Sequence, residues 1–258
     1  MNRHDERGEE RDRMSITLEI CVDDAEGLAA AIAGGADRIE LCSALALGGL
    51  TPSPGLMALA AAAPLPVYAM IRPREGDFVF LAADLDQMRR EIDAVRAAGL
   101  AGVVLGASEA GGGLDAEALA LLQRHAAGLG TTLHRAFDLV PDPANALEQA
   151  IELGFERILT SGGAAKAEDG VAVLAALVRQ AAARISIMPG AGVRPGNAAE
   201  VLALTGAHEI HASCRAPGRS ASAQTVALGF ARQALRDETS ENLVRALAVA
   251  VKSEQIRT

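Results

Sequence analysis

Eight strand-like segments, each followed by a segment of helical spacing, predict an α/β chain folded as a single-domain (β/α)8 TIM barrel. Two further observations agree with the alternation. The segments occupy about 240 of 258 residues, the length of such a barrel, and no Pro- or Ser-rich linker interrupts them. The alternative, a doubly wound sheet, usually carries about five to seven strands.

The elements follow in order. Residues 17–22 form a short apolar strand, and Asp24 caps an Ala-rich helix that ends at Gly34-Gly35. Residues 38–42 are the second strand. Gly48, Gly49 and Pro52 break the chain before a helix capped by Ser53 with Pro54 in its first turn. Strand three, 67–71, is stopped by Pro73, and the helix 85–98 leads into strand four at 102–105. A helix at 114–127, strand five at 132–135 and a helix at 143–153 follow. Strand six (157–161), a helix (167–183), strand seven (185–188), a helix (195–204) and strand eight (209–213) complete the barrel. Helical spacing over 224–236 and 241–251 predicts two closing helices.

Composition narrows the function classes. The net charge is −9 and only 2% of residues are aromatic, so the chain offers neither a basic footprint for a phosphate backbone nor rings for base stacking. Nucleic acid is therefore excluded as the expected partner. No apolar stretch reaches the roughly 20 uninterrupted residues that span a bilayer, so no membrane role is expected. Three cysteines without C-x-x-C spacing argue against a disulfide framework and fit a reducing cytoplasm. Residues 1–14, nearly all charged, read as a disordered leader ahead of a barrel domain at 15–258, with Met14 as an alternative start.

The segments Leu18-Glu19-Ile20-Cys21 and Ile39-Glu40-Leu41-Cys42 repeat one pattern. With a strand period of two, Glu19 and Cys21 share one face, as do Glu40 and Cys42. A carboxylate inside a core strand is costly unless it is paired, hydrogen-bonded or bound to a metal. Barrel active sites lie at the C-terminal strand ends, where the sequence collects Glu19, Glu40, Arg72, His134, Arg135, Asp138, Thr160, Ser161, His211 and Ser213. Glu19, Glu40, Arg72, His134, Asp138 and His211 have the chemistry of acid/base catalysis with anion clamps. A purely structural alternative has Arg72 and Arg135 neutralising Glu19 and Glu40.

Gly190-Ala191-Gly192 after strand seven, with Arg194, forms a candidate anion cradle to which Ser161 and Gly162 after strand six add. Pro189 lacks an N–H and weakens that cradle. No lysine lies on a strand, since the chain has only Lys166 and Lys252, so Schiff-base chemistry is disfavoured. Cys21 and Cys42, on neighbouring strands, are candidate ligands for Cu(I) or Zn, with His134 or His211 adding a nitrogen. Cys214 alternates away from the lumen.

These residues carry a resemblance. Leu18-Glu-Ile-Cys-Val, Gly35-Ala-Asp-Arg-Ile-Glu-Leu-Cys, Gly48-Gly-Leu-Thr-Pro-Ser, Ile71-Arg-Pro-Arg-Glu-Gly-Asp-Phe, His134-Arg-Ala-Phe-Asp, Leu159-Thr-Ser-Gly-Gly, Met188-Pro-Gly-Ala-Gly-Val-Arg and Glu209-Ile-His-Ala-Ser resemble the CutC family of copper homeostasis proteins. The resemblance runs from about Thr17 to about Ser213. It implies a cytoplasmic TIM barrel, often a homodimer, associated with copper. It also implies Cys21 and Cys42 as the suspected copper ligands, and a mouth of Glu19, Glu40, Arg72, His134, Asp138, Arg194 and His211.

The expectation is a copper homeostasis protein whose partner is a metal ion, Cu(I) at Cys21 and Cys42. The alternative is an enzyme acting on a small anionic, phosphorylated or carbonyl metabolite through Glu19 and Glu40. A third reading is a scaffold whose mouth is a salt-bridge network.

Overall fold

The computed structural model describes residues 16–254, so the expected leader at 1–14 lies outside the described residues. The elements are β1 (Thr17–Val22), α1 (Ala25–Gly34), β2 (Arg38–Leu41), α2 (Pro54–Ala60), β3 (Val67–Met70), α3 (Ala82–Ala98), β4 (Gly102–Leu105), α4 (Ala116–His125) and β5 (Gly130–Leu133). They continue as α5 (Pro143–Glu152), β6 (Arg157–Thr160), α6 (Val171–Ala181), β7 (Ser186–Pro189), α7 (Ala198–Thr205), β8 (Glu209–Ala212), β9 (Arg215–Ser220), α8 (Ala223–Ala227), β10 (Leu235–Thr239) and α9 (Glu241–Glu254).

The first eight strands are parallel in the order β7-β6-β5-β4-β3-β2-β1-β8, and β7 packs beside β8 at the seam of a nearly closed barrel. Leu18, Ile20, Ile39, Leu41, Val103 and Leu105 point outward from the strands into the apolar layer beneath the helices, where all are fully buried. The alternate positions face the lumen, and there the chain places its polar residues.

Local chemistry explains the helix starts. Asp24 accepts from the Gly27 N–H at 2.7 Å, Ser53 from Leu56 at 3.3 Å with Pro54 behind it, and Asp142 from Ala144 and Asn145 at 3.1 Å. β5 ends at Leu133, two residues earlier than its spacing suggests. His134 caps a 3-10 turn at Arg135–Leu139 by accepting the Ala136 N–H on its own ring nitrogen.

Residues 224–236 correct the expected helix. The helix stops at Ala227 because Gly229 adopts φ +77°; residues 228–234 are turn and irregular, and the chain then enters β10, which pairs antiparallel with β9 ahead of the helix. Its apolar residues found no core: Leu228 is 62% and Phe230 81% exposed. Ion pairs hold the excursion instead, Arg219 to Glu238 at 2.9 Å and Arg236 to Asp24 at 2.7 Å. α9 then returns Val244, Leu247 and Val251 to the core, packing on α1.

Candidate functional site

The floor of the lumen is an ion-pair network at the N-terminal strand ends. Arg38, the first residue of β2, bonds Glu19 of β1 and Glu209 of β8. Arg157 of β6 reaches Glu209 at 3.2 Å and Thr132 of β5 at 3.1 Å. Both guanidinium groups lie over the Tyr68 ring, 5.6 and 4.8 Å from its centre. That ring fits because β4 has no side chain at Gly102, where a Cβ would stand 2.3 Å from Tyr68 Cε1.

Glu19 therefore finds its counterion one strand away. This corrects the expectation that Arg72 and Arg135 neutralise the two glutamates. Arg72 instead donates to the backbone carbonyls of Leu47, Gly49 and Gly76 at 2.9, 3.1 and 2.9 Å. Arg135 is held by Asp138 at 2.6 Å and Ser161 at 2.9 Å. Arg38 was legible by the same alternation that pairs Glu40 with Cys42, because positions 38, 40 and 42 share one face.

Above the floor, His211 of β8 stands at the register position of Glu19 and shares a hydrogen bond of 2.8 Å between its Nδ1 and Glu19 Oε1. Its Nε2 faces Glu40 Oε2 at 3.8 Å. Burial opposes the Glu19 charge, but Arg38 and His211 outweigh it and hold the carboxyl down to about 2. Burial also opposes the charge on His211, yet Cys21, Glu40 and Glu19 around it push the ring well above the usual histidine range. For Glu40, burial and the nearby Glu19 push the carboxyl up, against the pull of His211. The three cysteine thiols are all pushed up by burial, Cys42 further by Glu40.

Cys21, Glu40 and His211 form the cluster with metal-ligand spacing, their donor atoms all within 4.8 Å of one another. Cys42 is not part of it. Its thiol donates back to Glu40 Oε2 at 3.6 Å and packs against Tyr68, Met70 and Val104. The paired thiols expected from the repeated strand pattern thus become one thiol at the cluster and one behind it.

The cluster opens into a cavity of about 300 Å³ lined also by Arg72, Phe78, His134, Arg135, Ala191, Gly192 and Arg215. Phe78 and Arg215 are lining residues that the sequence reading missed. Arg215 opens β9, a strand ahead of the expected helix at 224–236, and Phe78 lies on an irregular loop, so no periodicity marked either one. His134 is 3% exposed, and burial together with Arg72 lowers its ring to about 3, keeping it neutral.

Several expected site residues have other work. Asp138 accepts from Thr160 Oγ1 at 2.5 Å and from the Ser161 and Gly163 amides at 3.0 and 3.1 Å, and it also holds Arg135, so it braces the loops after β5 and β6 outside the cavity. The expected anion cradle is corrected in the same way. Ser161 and Gly162 spend their N–H groups on Asp138 and on Thr160 Oγ1, and Gly190 donates to the Thr160 carbonyl at 3.0 Å. Arg194 turns outward to Glu168 at 3.0 Å. Of the cradle, Ala191 and Gly192 line the cavity.

Residues 16–216 match the CutC family model. A CutC family protein of Caulobacter vibrioides is 62% identical over 240 residues, covering 92% of this chain and 96% of that relative. The chain belongs to the CutC family. A CutC family protein of Sinorhizobium medicae is likewise 62% identical, over 84% of this chain and 88% of its own length. Among solved structures, a CutC protein of Streptococcus agalactiae, provisionally assigned to copper homeostasis, superposes with a TM-score of 0.73 at 33% identity, over 76% of this chain and 97% of its own. The thiamine phosphate pyrophosphorylase of Pyrococcus furiosus, at 16% identity and a TM-score of 0.58, shares the fold alone. Among the described residues of this CutC family chain, no helix is long and apolar enough to cross a membrane.

Proposed function

We propose that this CutC family chain serves copper homeostasis by holding Cu(I) at the barrel mouth through Cys21 and His211, with Glu40 beside them. The observation that carries the reading is the Cys21–Glu40–His211 cluster, whose donor atoms lie within 4.8 Å of one another. With metal–ligand bonds of about 2.0–2.3 Å, one ion bridges donors up to about 4.5 Å apart, so the cluster seats it after closing by at most about 0.3 Å. Thiolate and imidazole are soft enough for Cu(I), and the carboxylate offsets the charge of the ion.

The surroundings support the same reading. Glu19 takes the Nδ1–H of His211 and leaves Nε2 as the ligand atom, and Arg38 fixes Glu19 in turn. Such carboxylate–histidine pairs orient metal ligands and raise their basicity. Binding displaces protons from the Cys21 thiol and from His211, so affinity rises with pH.

The test is anaerobic titration of Cu(I) against a chromophoric chelator. One equivalent should bind the wild-type protein, and Cys21→Ser should lose it. Stoichiometric binding retained in Cys21→Ser overturns the reading.

A further inference from the structure

Between the buried Cys214 and the buried Val244, none of residues 215–243 is buried, the longest such run among the described residues. A segment that shares in no core is held by what it meets at the surface, and segments of this kind open at the low end of the free-energy scale.

What this segment meets is charge. Arg215 reaches Asp23 at 3.4 Å, Arg236 reaches Asp24 at 2.7 Å and Arg219 pairs with Glu26, so three arginines dock on the β1–α1 loop and the first turn of α1. Further along, Arg232 stands 3.7 Å from Glu75, in the loop between β3 and α3. The rim acids are placed without help from the segment: Asp23 accepts the Leu45 N–H at 3.0 Å, and Asp24 caps α1. The strand order runs β3-β2-β1-β8, so a segment rooted at the end of β8 and tied to Glu75 passes along the rim over β1 and β2.

Its root belongs to the mouth. Ser213 and Arg215 line the same cavity as Cys21 and His211. So do Leu45, whose amide Asp23 holds, and Phe78, on the loop that carries Glu75.

We propose that residues 215–240 form a strap latched over the barrel mouth by these ion pairs, and that its release carries Arg215 off the cavity wall and opens the way to Cys21. Exposed pairs are weak one by one and are screened by salt, so the latch holds at low ionic strength and loosens as ionic strength rises. Arg219 and Arg236 lie outside the cavity, and their pairs can be removed without touching its lining.

The gate does not rest on the copper reading, and its test uses the metal-free protein. Alkylation by iodoacetamide, an uncharged reagent, is followed by mass spectrometry of tryptic peptides, which Arg38 and Arg72 cut so that the three cysteines are read separately. Raising NaCl from about 0.05 to about 0.5 M should speed Cys21 alkylation about threefold or more in wild type. The Arg219→Gln, Arg236→Gln double variant should react at Cys21 about tenfold faster than wild type at low salt, with a flatter salt dependence. Cys42, packed behind Glu40, should keep its wild-type rate in both. A second measurement needs no variant: amide hydrogen exchange of β9 and β10 in wild type should quicken with salt while that of β1–β8 does not. A Cys21 rate indifferent to salt, a double variant no faster than wild type, a parallel rise at Cys42, or hairpin amides unmoved by salt each overturns the proposal.

Discussion

Glu19 and His211 occupy paired register positions of β1 and β8 and share a hydrogen bond of 2.8 Å, while Arg38 holds the other oxygen of the same carboxylate. One buried side chain thus joins the ion-pair floor of the barrel to the polar mouth. The arrangement compensates the charge of Glu19 and leaves His211 oriented toward Glu40 and Cys21. The stability of the lumen and the proposed metal site both rest on this pair.

Replacing Glu19 by Ala removes the hydrogen-bonded carboxylate of His211 and leaves Arg38 with Glu209 alone in the lumen. The expected cost is about 3–5 kcal/mol in urea denaturation, and adding Arg38→Met should recover part of it. An unchanged denaturation midpoint would show that the pair contributes nothing.

Stability should fall with acid through His134. Its folded value of about 3 lies below the unfolded 6.5, so the unfolded chain takes up a proton that the folded chain refuses. The contribution is complete above pH 6.5 and is lost as pH falls toward 3, at about 1.4 kcal/mol per unit. Glu19 adds a loss in the same direction between 4.5 and about 2. Denaturation at pH 7 and pH 5 should therefore show a smaller acid loss in His134→Asn than in wild type, by about 2 kcal/mol. Equal losses in the two proteins contradict the assignment.

Asp138 is a brace in this structure, with its carboxylate accepting from the loops after both β5 and β6. Asp138→Asn should lose the Arg135 pair and cost about 1–3 kcal/mol while leaving Cu(I) stoichiometry intact. Loss of copper with unchanged thermal stability would return Asp138 to the site.

The barrel was legible because alternation along each strand and capping between strands are local signals. Glu19, Glu40 and His211 were legible as a converging set for the same reason, each sitting inward on a short strand. Partner choice was not. Which cation meets Glu19 depends on the register between β1 and β2, and this places Glu19 opposite Arg38. The separation of Cys21 from Cys42 follows from the same register, which pairs Cys21 with Glu40. The expected helix at 224–236 shrinks to a short helix ending at Ala227 because helical spacing is informative only when a core exists to receive it, and Leu228 and Phe230 remain in solvent.

The most direct test of the metal reading is the copper X-ray absorption spectrum of the protein loaded with one equivalent of Cu(I), recorded for wild type, Cys42→Ser and Cys21→Ser. The cluster predicts one sulfur and at least one imidazole nitrogen on the ion, a spectrum unchanged by Cys42→Ser, and loss of the sulfur in Cys21→Ser. Two sulfurs in the wild-type protein, or a sulfur that survives Cys21→Ser, would contradict it.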